Sequence, residues 1–168
     1  MFKILGIVCV SLLMLGCSTH KSDKENRHQM FQSVNVEEAT LTQEGDKKRY
    51  CTRCGMDLVK FYKTSHAATH NSQELQYCSI HCLEEHLGEG EELKNPKVVD
   101  VASLKLIDAT KAFYVVGSSK KATMSKVSKY AFLQEAKAKE FQAEFGGEIM
   151  DFNGAREKAQ EDFKHYKK

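Results

Sequence analysis

The chain reads as an α+β protein of two small related modules, each a mostly antiparallel sheet with one helix, closed by a C-terminal helix. Three observations predict this. Short apolar runs recur between polar turns, at strand length rather than helix length. Two longer segments carry apolar residues at helical spacing and end on glycine. A spacing in the first half, Met56-x-x-Val59-x-x-Tyr62, returns in the second as Met124-x-x-Val127-x-x-Tyr130.

In chain order, LVKFY (58–62), HAATH (66–70) and ELQY (74–77) read as strands, with Asn71-Ser72 as a turn. Ser79 stands as the N-cap of a helix running to Leu87 and stopped by Gly88, with Ile80, Leu83 and Leu87 as its apolar stripe. GEGEELKNPK follows as an exposed loop. The strands KVVDVA (97–102) and AFYVVG (112–117) come next, separated by a polar connection. In the second half VSKYAF (127–132) alternates as a strand with Tyr130 and Phe132 on one face. Residues 133–145 form a helix with Ala138, Phe141 and Phe145 on one side, ended by Gly146-Gly147. EIMDF (148–152) is a strand, and a charged helix closes the chain from Ala155. The modules expected are about 50–118 and 119–168.

Length and composition exclude several classes. At 168 residues there is room for one domain or two small modules. With 41% hydrophobic and 29% charged residues the chain as a whole is not intrinsically disordered. The formal charge of +2, from 25 basic and 23 acidic residues, offers no basic footprint for nucleic acid. No Ser/His/Asp order, phosphate loop or carboxylate pair stands out, so neither an enzyme nor a small-molecule substrate is expected. The one uniformly apolar run, Ile4 to Leu15, is shorter than the roughly 20 residues a membrane span needs. It suits the core of an export signal over 1–16. Met14-Leu15-Gly16-Cys17 resembles a bacterial lipobox, which makes Cys17 the acylated first residue of the mature chain. A plain N-terminal anchor is the competing reading. Acyl chains would hold the protein to a membrane, and the polar stretch 17–49 reads as a flexible tether. The competing reading there is a short helix or strand about Phe31 to Leu41.

The chemistry concentrates in the cysteines. Cys51-x-x-Cys54 is followed, after 23 residues, by Cys78-x-x-x-Cys82. Two close pairs some twenty residues apart are the pattern of a tetrahedral thiolate site. Tyr77 before the third cysteine gives a likeness to the TRASH-type metal finger. Disulfides are the alternative in an oxidising compartment, and thiol redox catalysis lacks its thioredoxin-like context. Met56, two positions after Cys54, adds a thioether to the thiolates, and that combination selects Cu(I) over harder ions. Met124 is a further thioether among polar neighbours, whereas Met150 beside Phe152 reads as core. His66 and His70, about 13 Å apart on one strand, stand too far apart to share an ion, so each faces solvent or is a lone ligand. His81 and His86 read as exposed helix residues, with Cys82 and His86 spaced to chelate.

These residues resemble the NosL family, copper-binding accessory lipoproteins of nitrous oxide reductase. The matching elements are the lipobox at Cys17, the motif Cys51-x-x-Cys54-Gly55-Met56, and Thr123-Met124 followed by Val127 to Phe132. The next helix and Gly146-Gly147 match as well, so the likeness runs from about Tyr50 to Phe152. The resemblance implies two ββαβ-like modules and a periplasm-facing Cu(I) metallochaperone. Its client would be nitrous oxide reductase or a related exported copper enzyme. It carries copper onto Cys54, Met56 and Met124, with Cys51 as a second-rank ligand. Cys78 and Cys82 depart from the family pattern and leave zinc beside Cu(I) as an occupant of the cluster. A reading from another class is a surface lipoprotein whose structural zinc or disulfide-stapled module serves protein–protein interaction.

The lipobox reading predicts a mature chain that begins at Cys17 and is acylated. Intact mass with and without globomycin checks it; an unmodified soluble form keeping Met1 would end the lipoprotein reading.

Overall fold

A computed structural model describes residues 30–166, with side chains to residue 162. The expected signal segment, Cys17 and the first part of the expected tether lie outside the described residues. Among the described residues no helix is long and apolar enough to cross a membrane.

Strands β1 (His66–His70) and β2 (Gln73–Tyr77) form a hairpin, closed by Asn71 and Ser72 at φ 46° and 65°. Two consecutive left-handed residues give the turn whose twist matches a two-residue hairpin. Helix α1 (Ile80–Gly88) follows, then β3 (Lys94–Val99) and β4 (Leu106–Asp108), giving an antiparallel sheet of order β2-β1-β3-β4. The second module runs β5 (Phe113–Val116), β6 (Lys129–Phe132), α2 (Glu135–Phe145) and β7 (Glu148–Met150), with sheet order β6-β5-β7. Helix α3 (Phe152–Tyr166) closes the chain. Each module is therefore built on strand–strand–helix–strand with its first strand inside the sheet, and β4 extends the first module at its edge. The expected α+β class and the pair of related modules are both present.

The strand period decides how the modules share a core. On one face of the second sheet, Val115, Tyr130 and Phe132 pack under Ala138 and Phe141 of α2. On the other face, Tyr114, Val116 and Ala131 join Ala68, Tyr77 and Leu83 of the first module around the buried cysteines. Polar ties reinforce the joint. Val101 N–H donates to the Ala131 carbonyl at 2.9 Å, and His66 Nε2 lies 3.2 Å from the Tyr114 hydroxyl. Helix α3 returns onto α1, where Glu84, only 2% exposed at its side chain, receives Arg156 and Gln160. Lys129 Nζ and Asp162, both buried, pair at 2.8 Å across β6 and α3.

Several expectations are corrected. Residues 58–62 are not a strand: Asp57 Oδ1 accepts from the N–H groups of Val59 and Lys60 and bends the chain into a 3-10 turn at Tyr62–Thr64. Tyr62 is wholly buried there, its hydroxyl donating to the Leu104 carbonyl and accepting from Thr40 N–H. The second half of the expected loop 88–97 belongs to β3, and β4 lay hidden inside the polar connection. The module boundary falls at residues 109–112 rather than 118, because β5 is the central strand of the second sheet. Helix α3 begins at Phe152, three residues before Ala155. The methionine–valine–tyrosine recurrence does not mark the duplication, since Met56–Tyr62 leads into β1 whereas Met124–Tyr130 leads into β6, the second strand of its module.

The flexible tether expected over 17–49 is also too long. Phe31 meets Tyr130 edge-on at 5.2 Å, Gln32 Nε2 donates to the Lys121 carbonyl at 2.8 Å, and Val34 is buried. A 3-10 turn at Val36–Glu38 and a bond from Thr42 N–H to Gln76 continue the packing. Phe31 and Val34 are a weak pattern in a polar stretch, but each packs into the folded body.

His66 is fully buried, and burial lowers its pKa from 6.5 to about 4. Between those values the unfolded chain binds a proton that the folded chain refuses, so stability falls as pH drops through the window. The loss reaches about 3 kcal/mol below pH 4. Urea unfolding across this range should show the slope, and His66→Gln should flatten it; an unchanged slope in the variant would remove His66 as its source.

Candidate metal centre

The first cysteine pair sits in a tight knuckle. Cys51 N–H donates to the Met56 carbonyl at 2.8 Å, and Gly55 N–H donates back to the Cys51 carbonyl at 2.9 Å. Gly55 adopts φ 73°, a left-handed conformation that costs other residues strain. An isolated bridge between Tyr50 and Asp57, with Arg49 paired to Asp57 at 2.9 Å, staples the ends of the loop. The knuckle hangs on the hairpin through Thr52 N–H, which donates to the Gln76 carbonyl at 3.0 Å. The second pair is set by a strand-to-helix junction. Strand β2 ends at Tyr77, Cys78 follows, Ser79 caps in an extended conformation, and Cys82 lies on the first turn of α1. Residues four apart at a helix start face the same way.

These two pieces bring all four sulfurs within 4.8 Å of one another. Cys54 Sγ is 3.5 Å from Cys78 Sγ, and Cys78 Sγ is 3.7 Å from Cys82 Sγ. An ion holding four thiolates at about 2.3 Å spaces them about 3.8 Å apart. The thiols are free, with no disulfide among them. Cys51, Cys78 and Cys82 are buried, and Cys54 stands at the solvent edge. Met56 adjoins the group, its Sδ accepting from the Cys78 thiol at 3.9 Å. The set is wholly soft, with sulfur as its only donor atom.

Charge is delicately balanced in this group. The thiols of Cys78 and Cys82 hydrogen-bond to Cys51 and hold its pKa well below the ordinary thiol range. The same bonds to Cys51, together with burial, push Cys78 and Cys82 well above it. One thiolate is thus solvated by its neighbours' protons, and further negative charge has no such support. A cation replacing those protons removes the conflict. The start of α1 adds the favourable end of its dipole. Arg53, inside the knuckle, pairs with Glu89 and lies 3.8 Å from Glu85, so it ties the knuckle to the far end of α1.

Of the site residues expected from sequence, Cys51, Cys54, Cys78, Cys82 and Met56 come together. Met124 does not join the sulfur group: it is 38% exposed, on a left-handed backbone at φ 58°. Its neighbour Thr123 is nevertheless tied to the site, because the Thr64 hydroxyl lies 2.8 Å from both the Thr123 hydroxyl and the Cys78 carbonyl. Met150 packs against the core as expected. The histidines differ from expectation. His66 is a neutral core residue between the Thr64 carbonyl and Tyr114, neither exposed nor a lone ligand. His81 and His86 are each 9% exposed, not surface residues. His86 does not chelate with Cys82; its Nδ1 bonds the Tyr77 hydroxyl at 2.8 Å. Tyr77 and Gln76, which support both halves of the site, gave no sign beyond the position of an aromatic residue before Cys78.

Two ββαβ modules sharing one core, with a compact free-thiol cluster held by a knuckle and a helix start, define a small soft-metal-binding protein. The NosL family model matches residues 42–159, and the chain belongs to the NosL family. Among curated proteins none matches the chain. The same fold occurs in the crystal structure of the copper chaperone NosL from Shewanella denitrificans, at TM-score 0.53 and 22% sequence identity. That match covers 67% of this chain and 94% of the other. The family match starts before Tyr50, in keeping with the packed lead-in segment.

Gly55→Ala should loosen the knuckle without a steric clash, since open space surrounds the position of the added Cβ. The left-handed strain costs about 1–2 kcal/mol. Metal affinity, measured by chelator competition, should drop about tenfold, the factor that 1.4 kcal/mol represents; unchanged affinity would mean that Cys54 does not depend on the turn.

Proposed function

We propose that this protein is a Cu(I) metallochaperone, lipid-anchored through Cys17 in the bacterial envelope, that hands its ion to an exported copper enzyme. Nitrous oxide reductase is the client that the family resemblance implies. The observation that carries the reading is the all-sulfur site itself: four free thiols within 4.8 Å, a thioether 3.9 Å from one of them, and one cysteine at the solvent edge. Copper is cargo, not a resident cofactor, and no covalent bond in a substrate is made or broken. Transfer proceeds by ligand exchange. Cys54 is the ligand an incoming donor can reach, while Cys51, Cys78 and Cys82 retain the ion from the buried side. Met56 supplies a neutral sulfur that binds without first losing a proton. Exposed Met124, one residue from the Thr123–Thr64–Cys78 contact, extends the soft-donor path towards the surface. Family membership and the shared fold of a copper chaperone support this reading.

A second reading has its own observation. Sulfur separations of 3.5 and 3.7 Å also suit a closed tetrahedral zinc site, in which the module serves as a structural platform for protein–protein interaction. Anaerobic competition of Cu(I) against Zn(II), followed by metal analysis, separates the two. The chaperone reading expects Cu(I) to displace Zn(II). It also expects Met56→Ala to weaken Cu(I) about tenfold while Zn(II) binding stays as it was, with Met124→Ala acting in the same direction but less. Retention of Zn(II) against Cu(I), with both variants unaffected, would assign the cluster to structure.

A further inference from the structure

The sulfur cluster leaves a second group of metal-ligating side chains unused, on the far side of Tyr77. His70 at the end of β1 and His86 near the end of α1 are sixteen residues apart in sequence, yet their rings stand 5.3 Å apart, tilted by 53°. Two imidazoles that bind one tetrahedral ion at about 2.1 Å bring their ring centroids to about 5 Å. The loop between α1 and β3 places Glu91 beside them, its carboxylate 3.6 Å from His70 Nε2. Ligand atoms at about 2.1 Å around such an ion lie about 3.4 Å apart.

Hydrogen bonds already orient both rings for this use. His70 Nδ1–H donates to the Glu92 carbonyl at 3.3 Å, and the Asn71 amide donates to Nε2 at 2.8 Å. That pairing puts the lone pair of His70 on Nε2, the atom that faces Glu91, where it accepts from Asn71; an ion bound there takes the place of that one exposed hydrogen bond. The other end of the pair is held from within: His86 Nδ1 is engaged by Tyr77 at 2.8 Å, and Nε2 is the nitrogen left over. A backbone carbonyl or hydroxyl on one ring nitrogen is the usual support of a ligating histidine. Arg53 also faces His86, but Glu89 and Glu85 neutralise it, so Glu91 is the carboxylate free to serve the histidines.

We propose that His70, His86 and Glu91 form a second metal site that takes a divalent ion of borderline hardness, Zn(II) or Cu(II). Imidazoles with a carboxylate suit such ions, and the hard carboxylate oxygen leaves Cu(I) to the all-sulfur cluster. The molecule thereby carries two sites sorted by softness, joined through Tyr77, which touches His86 and immediately precedes Cys78. Three protein donors leave a fourth position for water or an incoming ligand, as in open zinc sites. The inference does not depend on which ion the cysteines hold.

The test uses the full chain in detergent under anaerobic conditions. The cysteine cluster is first filled with one equivalent of Cu(I), and Co(II) is then titrated as the probe. One further saturable equivalent of Co(II) should bind, with ligand-field absorption and no sulfur-to-cobalt charge transfer. His70→Gln and Glu91→Gln should each weaken that equivalent at least tenfold while the Cu(I) equivalent is unchanged; His86→Gln should do the same. Because His86 also supports Tyr77, the His70 variant decides. No second equivalent, or Co(II) bound by His70→Gln as by the unaltered protein, would overturn the site. If the cysteines take up no Cu(I), Co(II) alone still resolves the question, since two equivalents with only one showing sulfur charge transfer support the second site independently of copper.

Discussion

A buried thiolate lacks the water that would solvate its charge, and three of the four clustered cysteines are buried, with all four sulfurs within 4.8 Å of one another. Much of the surrounding structure can be understood as the frame that keeps them there. Thr52 locks the knuckle to the Gln76 carbonyl, the Gln76 side chain in turn takes Thr42 and Ser65, and Thr64 holds the Cys78 carbonyl. The lead-in segment, the hairpin and the helix start are thus bound to one another around the sulfurs. A loose frame would let the sulfurs separate and recover solvent; this one leaves proton sharing, or a cation, as the way to balance their charge.

The duplicated topology clarifies which parts serve the site and which serve the scaffold. In the first module the residue after the second strand is Cys78; in the second module the corresponding place after β6 is Leu133, half exposed. The same strand-to-helix junction therefore carries a ligand in one copy and nothing chemical in the other. The second module contributes cover instead. Tyr114, Val116 and Ala131 form the apolar wall beside the cysteines, and α3 clamps α1 through the Glu84–Arg156–Gln160 contacts. Because α1 carries Cys82 at one end and His86 at the other, fixing that helix positions ligands of both kinds.

Sorting by softness follows from where each donor sits. Sulfur donors occur at the junction of knuckle and helix start, where burial and the helix dipole act together. Imidazole and carboxylate donors occur at the opposite end of α1, where the chain turns back into β3 and side chains meet solvent. Tyr77 separates the two groups and touches one of them directly. Its own pKa is raised, first by burial and then by the charge on Cys51. At neutral pH it therefore meets both groups as a neutral hydroxyl.

Local pattern determined a good deal. Short apolar runs between polar turns located β1, β2, β5, β6 and β7, helical spacing with terminal glycines located α1 and α2, and cysteine spacing identified four of the clustered ligands. Each of these is a short-range signal, carried by residues within one or two turns of each other. What failed were features decided across the fold. Residues 58–62 have strand composition, but Asp57 captures their N–H groups, and Tyr62 finds its partners at Thr40 and Leu104. His66 looks like a surface histidine until Tyr114 arrives from the other module. The true pairing of His86 is with Tyr77 and His70, not Cys82, because the helix faces β1 and β2 on that side. The sequence by itself determined the ligand types and the short spacings that let them chelate. Only the tertiary structure decided which of them meet, since that depends on burial and long-range hydrogen bonds that no local period encodes.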